Sequence, residues 1–224
     1  MSHSHSRVHS TYVCSIVPPY ILRSIAEKGT ATQRDVAAKT LADDVMFRAQ
    51  RQLQPPAPEP REFPAAPPHK NRLIYDGKHR KALPGKLVRG EGQAAGSDVA
   101  VNEAYDGLGA TFDLYCDIYG RNSIDNNGMD IIGTVHYGRK YDNAQWNGFQ
   151  MIFGDGDGTI FNRFTIAVDI MGHELTHGVT GATARLDYQD QAGALNESVS
   201  DVFGSLVKQR VLNQKAAEAD WLIG

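Results

Sequence analysis

The stretch Ile166 to Thr180, I-A-V-D-I-M-G-H-E-L-T-H-G-V-T, restricts the fold more than any other part of this chain. It holds His173 and His177 four positions apart, with Glu174 beside the first. On an α-helix that spacing puts both imidazoles on one face, close enough to share one tetrahedral metal ion, and the glutamate within reach of water on that ion. The apolar residues Ile166, Ile170, Met171, Leu175 and Val179 recur near the helical period. They predict a helix with one buried side and one ligand-bearing side. The same five-residue pattern also arises by chance on ordinary helices, so the metal reading needs further donors.

One such donor lies on a second helix, predicted from about Leu195 to Val211 with an apolar stripe of Val199, Val202, Phe203, Leu206 and Val211. Glu197, near its start, either completes the two imidazoles as a third zinc ligand or complements the helix dipole. As a ligand it would leave one position for water, the arrangement of a catalytic site. Asp201, one turn further on the same face, can accept the second ring N–H of a ligand histidine and hold its tautomer. Asn196-Glu197-Ser198 also spells a glycosylation sequon, which its place on this helix argues against.

The remaining composition is ordinary for a globular chain. Of 224 residues, 41% are hydrophobic, enough for a core, and Lys+Arg 23 against Asp+Glu 26 gives a charge of -3. That balance offers no electrostatic case for nucleic acid or an anionic membrane. Cys14 and Cys116 form no C-x-x-C pair and no disulfide framework. The apolar run Tyr12 to Val17 is too short for a signal-peptide core, and nothing approaches the roughly 18 apolar residues of a membrane helix.

In chain order, His3, His5 and His9 lie in a serine-rich tail read as a solvated end, followed by an apolar segment stiffened by Pro18-Pro19 that can lie in a groove. A short helix is predicted over Ile21 to Glu27. A second runs from Gln33 to about Gln50, capped by Thr32, with Val36, Leu41, Val45 and Met46 as its apolar face. The proline-rich stretch 54–68 reads as an exposed, cleavable linker. It divides the chain into a module at 1–53 and a larger unit at 69–224. There, strands are predicted at Arg72 to Asp76, Lys86 to Arg89, Asp130 to Tyr137 and Phe149 to Phe153, and a helix from Ser97 or Asp98 to about Cys116. The turns Asn127-Gly128 and Asn147-Gly148 suggest a twisted antiparallel sheet. Gly154 to Gly158, G-D-G-D-G, lacks the polar ligands of a calcium loop and reads as a tight turn.

H-E-L-T-H-G-V-T followed by N-E-S-V-S-D from Asn196 to Asp201 resembles the thermolysin-like (M4) zinc metallopeptidases. Val135-His136-Tyr137, Asn143 to Gly148 and the G-D-G-D-G turn extend the likeness in the family's order, and the module before them is similar to the short propeptide of the protealysin branch. The resemblance implies an α+β fold with a sheet-bearing lobe and a central metal helix. It implies one zinc ion on His173, His177 and Glu197, Glu174 as general base, and Tyr188 as donor to the tetrahedral oxyanion. Asn143 and the carbonyl of Ala144 would bind substrate backbone, and Pro18, Pro19 and Tyr20 would block the cleft until the linker is cut.

Cys14 is a candidate thiolate switch on zinc. Calcium is not expected, because Lys208 and Leu222 stand where calcium-dependent members carry acidic ligands. The chain ends within a family motif at Gly224, so most of the helical C-terminal lobe, with a second histidine and a substrate-binding arginine, is expected to be missing. The expected protein is a monomeric zymogen acting on proteins and peptides, without nucleic-acid or membrane partners. Secretion without a Sec leader is preferred to a cytoplasmic location. The competing expectation is a catalytically incompetent zinc-binding fragment kept inhibited by its own propeptide.

Overall fold

The computed structural model describes residues 15–52 and 67–224. The histidine-bearing tail, the Cys14 switch and nearly all of the expected linker lie outside the described residues.

Two helices come first, α1 (Pro19–Lys28) and α2 (Ala31–Gln52). Proline at the first helical position costs no hydrogen bond there and presets φ, so Pro19 starts α1. The start of α2 differs from expectation. Thr30, not Thr32, makes the cap: its Oγ1 accepts from the Gln33 amide at 3.4 Å, and Gln33 Oε1 accepts from the Thr30 amide at 2.8 Å. That reciprocal T-x-x-Q pair is a capping box. The docked face differs too, because Val45 is 58% and Met46 47% exposed while Val36, Ala37, Thr40, Asp44 and Phe47 are buried. α2 docks a partly polar face, which an apolar-periodicity argument cannot select.

The larger unit carries five strands: β1 (Arg72–Asp76), β2 (Lys86–Gly90), β3 (Ile131–Val135), β4 (Ala144–Trp146) and β5 (Met151–Phe153). Their order is β2-β1-β3-β5-β4. Only the outer pairs, β1 with β2 and β4 with β5, are antiparallel; β1/β3 and β3/β5 are parallel, so the sheet is mixed. The cause is α3 (Val99–Tyr119), which crosses over between β2 and β3 and lets the chain return in the same direction. Asp98 caps α3 by accepting from Ala100 and Val101, and Gly120 closes it in the left-handed region at φ 63°. β4, a strand not foreseen, is the sheet edge, folded back on β5 through a turn in which Asn147 Oδ1 accepts from Phe149 and Gln150. The G-D-G-D-G turn is tight as expected, with Asp157 Oδ1 accepting from Thr159, Ile160 and Phe161.

Two long helices complete the fold, α4 (Val168–Ala182) and α5 (Asp190–Leu212). Ile166 precedes α4 in a 3-10 turn and is half exposed, so it does not join the helix's apolar side. α4 is buried almost throughout, packed on α3, the sheet and α5, and contributes Ile170, Met171, Leu175 and Val179 to the main core. α5 starts five residues before expected, which puts Glu197 two turns inside rather than at the dipole end. The face α5 buries includes the small and polar residues Gly193, Asn196, Ser200 and Gly204, whereas Val202 and Val211 are exposed. The reason is proximity: a Cβ at Gly172 would lie 2.9 Å from the Gly204 Cα, and one at Gly204 would lie 2.6 Å from the Asp169 carbonyl. The two backbones touch there, which brings the α5 carboxylates to the α4 histidines.

Candidate metal centre and cleft

The helical period carries His173 and His177 to the same side of α4, with Nε2 atoms 3.0 Å apart and rings nearly perpendicular at 84°. From α5, Glu197 Oε2 approaches to 3.5 Å of one Nε2 and 3.9 Å of the other. Tetrahedral zinc with Zn–N bonds of about 2.0–2.1 Å sets its nitrogen donors about 3.3 Å apart. The donor set therefore fits zinc, and among the described residues it is one of two clusters able to hold a metal ion.

Partners on the far side of each ring set the tautomers. His173 Nδ1 lies 2.8 Å from Asp201 Oδ1, and His177 Nδ1 lies 2.9 Å from Asn196 Oδ1 and 3.0 Å from Ser200 Oγ. The Asn196 amide nitrogen donates to the Leu186 carbonyl at 3.3 Å, so its oxygen is the atom turned to the ring. Both histidines thus donate through Nδ1 and aim an Nε2 lone pair at the shared point. Two lone pairs facing each other at this distance need a shared cation or proton. Burial works against charge on His173, but Asp201 and Glu197 outweigh it and raise its pKa to about 10.

Glu174 is fully buried, and its Oε2 accepts from the Trp146 amide of β4 at 2.8 Å. The edge strand therefore orients the carboxylate that stands next to the first imidazole. Tyr188, in the link between α4 and α5, brings its ring centroid to 5.6 Å from that of His177. A cavity of about 610 Å³ is lined by His173, Tyr188, Glu197 and Asp201 on one side and by Pro18, Pro19 and Tyr20 on the other.

Asn143 and Ala144 meet the N-terminal segment. The Ile16 amide donates to the Ala144 carbonyl at 3.2 Å, and the Val17 amide donates to Asn143 Oδ1 at 2.9 Å. Asn143 Nδ2 returns hydrogen bonds to the Val17 carbonyl, Ser15 Oγ and Asp44 Oδ2 at 3.2, 2.9 and 3.0 Å. Ser15 to Val17 is thus held by its backbone on the sheet edge, as a peptide is in strand addition. α2 reinforces the seat: Tyr141 donates to Asp44 Oδ1 at 2.6 Å, Lys81 pairs with Asp43 at 2.5 Å, and Phe47 packs on Tyr137 with centroids 5.5 Å apart.

At Asp169, one turn before His173 on the same face of α4, Lys208 Nζ lies 3.0 Å from the Asp169 carboxylate, 3.2 Å from Asp220 and 3.3 Å from the Leu222 carbonyl. Burial opposes its charge, but these carboxylates prevail and raise its pKa above the ordinary lysine value.

Among the described residues, the site residues named from sequence converge on this cleft or its docked segment. Sequence reasoning missed four groups: Asn196, Ser200, the Trp146 amide and Asp44. Asn196 and Ser200 were within reach, since helical spacing places them beside Glu197 and Asp201 on the face turned to α4. The Trp146 amide and Asp44 left no trace, because each meets its partner only through tertiary contact.

Comparison with known proteins agrees along the chain. Residues 64–181 match the thermolysin metallopeptidase catalytic domain, 184–224 its alpha-helical domain, and 14–42 the protealysin propeptide. An extracellular metalloprotease of Pectobacterium carotovorum subsp. carotovorum is 54% identical over 213 residues, which is 95% of this chain and 60% of that protein. Protease PrtS of Photorhabdus sp. (strain Az29) is 45% identical over 215 residues, 93% of this chain and 57% of that protein. Among solved structures, the precursor of protealysin, a metalloproteinase from Serratia proteamaculans, superposes with a TM-score of 0.83 at 53% identity, covering 95% of this chain and 60% of that one. The chain spans about 60% of the length of the Pectobacterium metalloprotease and of the protealysin precursor.

Proposed function

This chain belongs to the thermolysin metallopeptidase family, and on that premise we propose that it is the precursor form of a zinc endopeptidase closed by its own N-terminal segment. The proposed organisation is a propeptide at 1–53, a cleavable linker at 54–68 and the peptidase unit from 69 onward. His173, His177 and Glu197 hold the zinc. When bound there, zinc supplies a Lewis acid that polarises the scissile carbonyl and makes water a nucleophile near neutral pH.

The chain's own residues do the rest. Glu174, buried and held by the Trp146 amide, takes the proton of the attacking water and can deliver it to the leaving amine. Tyr188 supplies a hydroxyl donor to the developing oxyanion, where a donor is worth more than at the ground-state carbonyl. Asn143 and the Ala144 carbonyl hold the substrate backbone along β4, and Asp201 with Asn196 keeps the two imidazoles aimed.

The observation that carries this reading is the seat of Ser15 to Val17. The Ile16 and Val17 amides already engage the Ala144 carbonyl and the Asn143 side chain, and Pro18, Pro19 and Tyr20 line the cavity beside the metal donors. Occupying the substrate's hydrogen-bonding groups is a direct way to inhibit, and a proline pair there resists being read as a cleavable bond. We place the activity on proteins and peptides outside the cell, as the name of the Pectobacterium relative suggests, and expect no calcium at the Lys208 cluster.

Casein hydrolysis after cleavage within 54–68 tests the proposal. Activity abolished by a chelator and by Glu174→Ala is the expected result. Stoichiometric zinc with no hydrolysis after removal of the N-terminal segment would instead make the chain a zinc binder without turnover.

A further inference from the structure

The second cluster of metal donors lies away from the cleft. β1, β3 and β5 are adjacent and mutually parallel, so their carboxyl ends open on one edge of the sheet. Each contributes one donor just beyond its last residue: His79 after Asp76, His136 after Val135, and Asp155 after Phe153. The carboxyl ends of parallel strands are where such sheets bind ligands, because loops diverge there and leave a crevice.

The geometry at this edge has the parts of a metal site. One donor atom from each of His79, His136 and Asp155 falls within 4.8 Å of the other two. The Asp155 carboxylate bridges the rings, with Oδ1 2.8 Å from His136 Nδ1 and Oδ2 3.3 Å from His79 Nδ1. Asp98, the cap of α3, holds the far nitrogen of His136 at 3.0 Å. That repeats the relation of Asp201 to His173, a carboxylate behind an imidazole whose other nitrogen faces the donors. The backbones are locked as well: the His79 amide donates to the His136 carbonyl at 2.9 Å, and both histidines adopt left-handed φ, 55° and 54°.

We propose that His79, His136 and Asp155 form a second divalent-metal site, selective for zinc-like ions and separate from the catalytic centre. Two imidazoles and one carboxylate suit zinc and its transition-metal neighbours and do not suit calcium or magnesium, which take oxygen donors. His79 is 55% exposed at its side chain, so the ion keeps solvent positions and exchanges readily. Its role is to tie three strand ends and, through Asp98, the start of α3.

Zinc alone is the probe. The chelator-stripped 224-residue chain is titrated with zinc by calorimetry near pH 8, beside His79→Ala, His79→Cys and His177→Ala. The expected result is two zinc ions on the wild-type chain, with the weaker event lost or weakened at least about tenfold in His79→Ala and retained in His79→Cys. In His177→Ala that weaker event should persist while the tighter one fails. His79 is half exposed, so its alanine variant should keep the catalytic event, which reports that the chain is folded. A wild-type chain that binds one zinc only, up to about 100-fold excess, overturns the proposal. So does a second event unchanged in His79→Ala, which would put that zinc elsewhere.

Discussion

Asn196 occupies the position just before a metal donor and does a different job from it. Its oxygen sits 2.9 Å from His177 Nδ1 while its nitrogen is tied to the Leu186 carbonyl. Burial to 1% exposure removes water as a substitute partner, and it also removes the sequon from use. Asn196→Ala should therefore leave the chain folded but lower zinc affinity at the His173, His177 and Glu197 cluster by about 10–100-fold, the usual cost of losing a partner behind a ligand. Competition with a fluorescent chelator measures it, and an unchanged affinity would mean that Ser200 alone suffices to aim the ring. Glu174 shows the same dependence on a neighbour, since the amide that orients it belongs to the edge strand to which the docked N-terminal segment is also attached.

At the scale of elements, α2 holds the segment in place through a face that mixes apolar and ionisable groups. Burial pushes the Asp44 pKa from 3.8 to about 6, against the hydrogen bonds from Tyr141 and Asn143. A carboxyl group with a raised native pKa prefers its protonated form when docked. Its contribution to docking is therefore complete below 3.8 and lost as pH rises through about 6. The full swing is at most about 3 kcal/mol. Hydrogen exchange of the α2 amides, corrected for the intrinsic effect of pH, should show stronger protection at pH 5 than at pH 7.5, and Asp44→Ala should flatten the difference. Protection that grows toward pH 7.5 would contradict this. The α4–α5 crossing offers a second test at this scale. Gly204→Val would put a branched side chain where a Cβ already lies 2.6 Å from the Asp169 carbonyl. It should cost about 1–3 kcal/mol by forcing the helices apart, and the same displacement should weaken zinc binding, because Glu197 and Asp201 move with α5.

For the whole molecule, the Lys208 cluster bears on which ions the protein needs. An ammonium 3.0 Å from Asp169 and 3.2 Å from Asp220 already neutralises these carboxylates. Millimolar calcium should accordingly leave the wild-type Tm unchanged. Lys208→Met should lower Tm through a loss of roughly 1–3 kcal/mol, the cost of leaving a buried carboxylate unpartnered, and calcium should restore part of it. The same comparison of local and distant forces explains what could be read before the fold was known. Helical periodicity and donor type determined that His173, His177 and Glu174 share one side of a helix, that Glu197 and Asp201 lie together on another, and that α3 starts at Ser97 or Asp98. These are statements about a few consecutive residues, where covalent geometry leaves little choice. The sheet's parallel pairs, the polar face by which α2 docks, the glycine contact that joins α4 to α5 and the meeting of His79 with Asp155 were decided only by the tertiary structure. Each depends on which distant segments exclude water together, and hydrophobic burial is non-directional and carries no local signature of the partner.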